Sequence, residues 1–147
     1  MRSTIISTLF VLAAATVPAS AQDPKTEACE LAEAFAGGID VTIGQLLKLA
    51  SLWPDSDRAK LEAVFRPELK GFNLGKGKVY RIADFGELAQ EFLIVSADLK
   101  QAQNLYFRVI FQTYEGGHFF KNVKFNTDFY KISDPAFAQP PELVDCG

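Results

Sequence analysis

Leu105, Phe107, Val109, Phe111 and Thr113 alternate with Tyr106, Arg108, Ile110, Gln112 and Tyr114, and the two sets predict opposite faces of one long strand. A second run follows, with Phe119, Val123, Phe125 and Phe129 on one face and Asn122, Lys124, Asn126 and Asp128 on the other. Only Lys121 breaks its apolar row. Between the runs, Glu115-Gly116-Gly117-His118 predicts a tight reversal, since glycine takes positive φ without steric cost. The stretch Leu105–Ile132 therefore reads as a long antiparallel hairpin whose apolar face needs helices to cover it.

The helices are legible upstream. A helical pattern begins at Ala28 and carries Leu31, Ala32 and Phe35 on one side until Gly37-Gly38 ends it. A second helix is predicted over Ile43–Leu52, with Asp40 or Thr42 as its N-cap. A third starts at Asp55 or Ser56, runs through Leu61, Val64 and Phe65, and is limited by Pro67. Glu68–Lys78 reads as a loop. Its Gly71, Gly75 and Lys76 invite comparison with a phosphate-binding loop, but the spacing is one residue short and Gly77 stands where the hydroxyl residue belongs. Val79–Phe85 predicts the first strand. Glu87–Ala97 fits helix or strand, and a strand over Glu91–Ala97 is preferred, with Asp98–Asn104 turning into the hairpin. After Ile132 the chain is Pro-rich, predicting a tail over 133–147 that is extended and poorly packed until Cys146 ties it down. The fold class expected is α+β: two or three N-terminal helices packed on a curved antiparallel sheet of about four strands.

Composition places this pattern outside a reducing cytoplasm. Arg2, the apolar run Ile5–Val17 and the small residues Ala19-Ser20-Ala21 predict an export signal over 1–21, cleaved to leave Gln22 first. The apolar run is shorter than the ~20 residues a membrane span needs. Residues 22–27 form a polar leader and 28–132 a single domain. The expected compartment is the periplasm, or the exterior, with no membrane contact after cleavage. In an oxidising compartment the two cysteines, Cys29 and Cys146, predict one disulfide. Loss of Arg2 with the signal leaves 14 basic and 18 acidic residues, without a basic face, so nucleic acid is not expected as a partner.

Chemistry is sparse. His118 is the only histidine and sits at the predicted turn, so no metal site is expected. No cofactor motif is present. The weak catalytic candidates are Asp84 with Tyr106 or Tyr130, a carboxyl and a phenol able to move a proton if a cavity desolvated them. Arg108 is expected to form a cross-strand ion pair. Tyr106, Arg108, Ile110, Tyr114 and Tyr130 form the surface on which ligand or partner binding is expected, and Tyr106, Ile110, Tyr114, Phe120 and Tyr130 an apolar patch suited to a homodimer.

The order of helices, glycine-rich break and terminal hairpin, with the stretches Ala34–Asp40 (AFAGGID) and Val64–Gly71 (VFRPELKG), resembles the nuclear-transport-factor-2-like (SnoaL-like, cystatin-like) cone fold over residues 28–132. That resemblance implies a small exported bacterial member. It does not choose a function, because such folds host isomerases, dehydratases and binding modules alike. The expected function is a non-enzymatic module binding a small apolar ligand or a protein through the sheet or cone mouth. The alternatives are an acid–base isomerase or dehydratase and a homodimeric interaction protein.

Overall fold

The computed structural model describes residues 21–147; apart from Ala21, the export signal expected over 1–21 lies outside the described residues. The architecture is α+β, with three helices before an antiparallel sheet of five strands. Helix α1 spans Pro24–Ala34 and continues as a 3-10 turn over Phe35–Gly37. It begins four residues before the predicted Ala28, because Asp23 caps the Thr26 amide and Pro24 sits where a missing N–H costs nothing. Helix α2 spans Ile39–Leu49 and is capped by Gly38, at φ 89°, rather than by Asp40 or Thr42. Thr42 is buried instead, and its hydroxyl donates back to Gly38 O at 2.9 Å and Ala34 O at 3.2 Å. Helix α3 spans Asp55–Leu69 and runs through Pro67. The expected stop fails there because Leu69, two residues on, is anchored in the core.

Strands β1 (Lys78–Asp84), β2 (Ala89–Asp98), β3 (Gln103–Tyr114), β4 (Gly117–Asn126) and β5 (Glu142–Leu143) lie in the order β4-β3-β2-β1-β5. The ambiguous segment after Glu87 is strand. The hairpin turns on two residues, Glu115 at φ 48° and Gly116 at φ 82°, the positive pair that matches strand twist. The hairpin is shorter than predicted. β4 stops at Asn126, and Phe129–Ile132 forms a single helical turn, α4, capped by Asp128.

One register detail reassigns a face. Ile110 pairs with Asn122 but Phe111 pairs with Phe120, so Lys121 is the extra residue of a β-bulge. The bulge turns Phe120 inward beside Val123, where both are buried. Phe119 turns outward against Tyr114. Phe120 is therefore core, not part of the outer patch, and the break at Lys121 is the local sign of the bulge.

Phe35, Phe107, Phe125 and Phe65 form a continuous aromatic row from the end of α1 through the hairpin to α3, with successive centroids 4.5, 5.6 and 4.8 Å apart. With Phe92, Phe111 and the leucines of the helices, this row fills the helix-facing side of the sheet. The glycine-rich loop belongs to the same packing. Gly77 donates to Ala32 O at 2.9 Å, and a Cβ there would stand 2.6 Å from Ile94 Cγ2.

The opposite side is covered too. Ile132 and Phe137 pack with Ile82, Leu93, Tyr80, Val95 and Tyr106 as a second core. Beyond them Gln139 and Val144 bond to β1, and β5 completes the sheet edge. The Pro-rich tail thus runs as a largely exposed strap that Phe137, Gln139 and Val144 hold against the sheet. Its last turn brings Cys146 to Cys29, with the sulfurs 2.03 Å apart, at disulfide distance.

Candidate functional site

With both faces of the sheet packed, two open concavities flank Trp53, in the connection between α2 and α3, and others lie beside the Cys29–Cys146 pair. The Trp53 amide donates to Ala50 O at 2.9 Å, which tucks the connection against the end of α2. Its indole stacks on Phe120 at 5.0 Å and 12°, and Nε1 donates to Phe120 O at 3.0 Å. The stack exists only because the bulge at Lys121 turns Phe120 to this side.

Two grooves flank the indole. On the α3 side a groove of ≈ 530 Å³ has Leu61, Val64 and Phe65 as apolar wall and Lys121 and Asn122 of β4 opposite. On the hairpin side a groove of ≈ 690 Å³ is bounded by Leu52, Tyr114 and Phe119. Val64 is 57 % exposed although it lies between two core residues of α3, so apolar surface is presented to water here. Lys60 is paired with Asp57 at 3.0 Å, whereas Lys121 has no ion-pair partner among the described residues. The groove therefore carries one net positive charge on a chain that is acidic as a whole.

The residues singled out from sequence are dispersed. Asp84 lies at the exposed end of β1, where its carboxylate accepts from the Gly86 amide at 2.9 Å and faces Arg81 at 3.6 Å. Asp84 pairs with Gln90 and Tyr106 with Val95, five residues apart on β2, or about 17 Å along the strand. Tyr106 is half-buried against Phe129, and Tyr130, 83 % exposed, meets the same ring edge-on. The structure brings Tyr106 and Tyr130 to one neighbour but keeps Asp84 away from both.

Arg108 is buried in a cross-strand pair. It donates to Glu91 at 2.6 and 2.9 Å, to Pro135 O at 2.6 Å, and lies 5.3 Å from the Phe137 ring. Ile110 is half-buried, and Tyr114 alone of the expected surface reaches the grooves at Trp53. His118 is half-buried at the start of β4, with Nε2 3.1 Å from Gly86 O. Among the described residues no group of His, Cys, Asp or Glu is placed to hold a metal ion. No helix of the described residues is long and apolar enough to cross a membrane.

Sequence reading missed Trp53 as a site residue. Its signal was present in the Trp53-Pro54 break between two helices, where a large aromatic side chain interrupts the pattern without joining a helix face. Comparison with protein-family models, curated proteins and solved structures returns no match for this chain.

Proposed function

We propose that this protein is an exported, non-enzymatic binding module that receives an extended apolar segment of a partner protein along the grooves at Trp53. The observation that carries this reading is the apolar surface left open on both sides of one stacked indole, beside the edge strand β4, while both sheet faces are packed. Partner segments commonly seat their apolar side chains in such hollows. Lys121 suits a segment that carries a carboxylate. The Cys29–Cys146 pair supports an oxidising compartment, and the periplasm, with the signal removed after Ala21, is the location proposed. The order of helices before an antiparallel sheet supports a cone of the nuclear-transport-factor-2-like kind.

A photo-cross-linking residue at Val64 tests the site in living cells against one at Leu99, 66 % exposed in the β2–β3 turn. A discrete adduct from position 64 and none from 99 is the expected result. Equal labelling at both positions, or at neither, would end this reading. A medium-chain carboxylate that shifts Trp53 fluorescence, with no adduct, would favour a small apolar ligand instead.

A further inference from the structure

Gln22 uses every polar atom that distinguishes it. Its backbone nitrogen donates to His118 O at 3.0 Å. Its Oε1 accepts from the Phe120 amide at 2.7 Å, and its Nε2 donates to Leu49 O at 3.0 Å. One side chain thereby joins the last turn of α2 to the outer edge of β4. Phe120 has its N–H met by Gln22 and its C=O met by Trp53, both from outside the sheet. Unpaired groups on an edge strand are the place where a foreign strand adds, and here two side chains close that place.

We propose that Gln22 is a modification site held shut by the fold: as first residue of the processed chain it stays an open glutamine, where an unfolded chain would cyclise. This rests on the proposed export and processing after Ala21. In cyclisation the amino nitrogen of Gln22 attacks its own Cδ, the Cδ–Nε2 bond breaks, and Nε2 departs as ammonia with a proton from the amine. A lactam remains, and no oxidant or co-reactant enters. In the folded chain the attacking nitrogen, the carbonyl oxygen and the leaving nitrogen are each committed to a different backbone group. Ring closure must break the bond to Leu49 O outright, and the lactam has no Nε2 to restore it. The folded state therefore favours the open form, by the ordinary rule that a state is stabilised by what binds it selectively. Cyclisation would loosen the closure over His118–Phe120 and expose that edge.

The test uses the full chain, exported with its own leader and purified folded. It is incubated at neutral pH beside the same protein kept unfolded in guanidinium with reductant, and the terminal peptide is weighed over time. Loss of one ammonia is expected at least ~10-fold more slowly in the folded sample, since local opening must break several hydrogen bonds first. Equal rates would overturn the inference and leave processing at Gln22 intact. A first residue other than Gln22 would overturn the processing proposal and this inference with it. The cyclised protein, refolded, is expected to melt below the open form, and identical melting would refute the closing role.

Discussion

Arg108 of β3 and Glu91 of β2 form an ion pair at 2.6 Å beneath the C-terminal strap, with side-chain exposures of 5 % and 17 %. The same guanidinium holds the strap through Pro135 O and the face of Phe137. An arginine placed by alternation on the outer face is thus a fastening between sheet and tail.

Replacing Arg108 with Met should cost ~3–5 kcal/mol, because Glu91 would remain under the strap without its partner. The double variant Arg108→Met/Glu91→Leu should recover most of that loss. Urea unfolding of the three proteins checks it. Equal destabilisation by single and double variants would refute the pairing as the source.

Cys29 and Cys146 are separated by 117 residues in the chain. Replacing both with Ser should lower stability by ~4–5 kcal/mol on the chain-entropy account, and by less if the unfolded chain stays compact. Alkylation before and after reduction, followed by thermal melting, measures both halves of this expectation. Two thiols reactive without reductant would contradict it.

Trp53 is the only tryptophan, so its fluorescence reports the grooves directly. Trp53→Phe retains an aromatic face but loses the bond to Phe120 O, and should cost ~1 kcal/mol. Trp53→Ala should cost more, ~2 kcal/mol, and abolish the Val64 cross-link. A Trp53→Ala protein with an undiminished cross-link would move the site elsewhere.

Two carboxyls should bend the pH dependence in opposite directions. Burial pushes Asp98 upward, but the amides of Lys100 and Asn73 together with Gln103 outweigh it, so its pKa is held below the ordinary value. Its contribution is present above the unfolded value of ~3.9 and is lost as pH falls through the lower folded value. Asp98→Asn should therefore be less stable at neutral pH, with the gap closing in acid. Glu27 is raised, chiefly by burial, with Lys48 partly offsetting and Glu30 and Asp23 adding to it. Its folded form prefers the proton, so stability falls as pH rises from the ordinary carboxyl range through the raised value. Glu27→Gln should be slightly more stable than the parent at pH 7 and equal to it in acid. Urea midpoints measured from neutral pH to below ~3 separate the two signs.

The legible parts of this fold were those carried by neighbours in the chain. Alternation over β3, the glycine at the turn, the helical stripe of Leu31 and Phe35, and the strand after Glu87 each depend on a few adjacent residues. Pro67 and Phe129 misled because tertiary anchoring decided them. Leu69 in the core draws α3 past its proline, and Ile132, buried in the second core, holds the end of the expected strand as α4 behind its cap at Asp128.

By itself, the sequence determined the α+β class, the order of helices before the hairpin, and the pairing of its two cysteines. Periodicity and residue count act locally or admit one solution. Only the tertiary structure decided which face Phe120 takes, because a bulge has meaning only against the register of its partner strand. It also decided that the Pro-rich tail covers Arg108, and that Trp53 borders two grooves which only Tyr114 of the outer-face tyrosines reaches. Those outcomes depend on groups far apart in the chain, and burial chose among surfaces that local pattern made equally apolar.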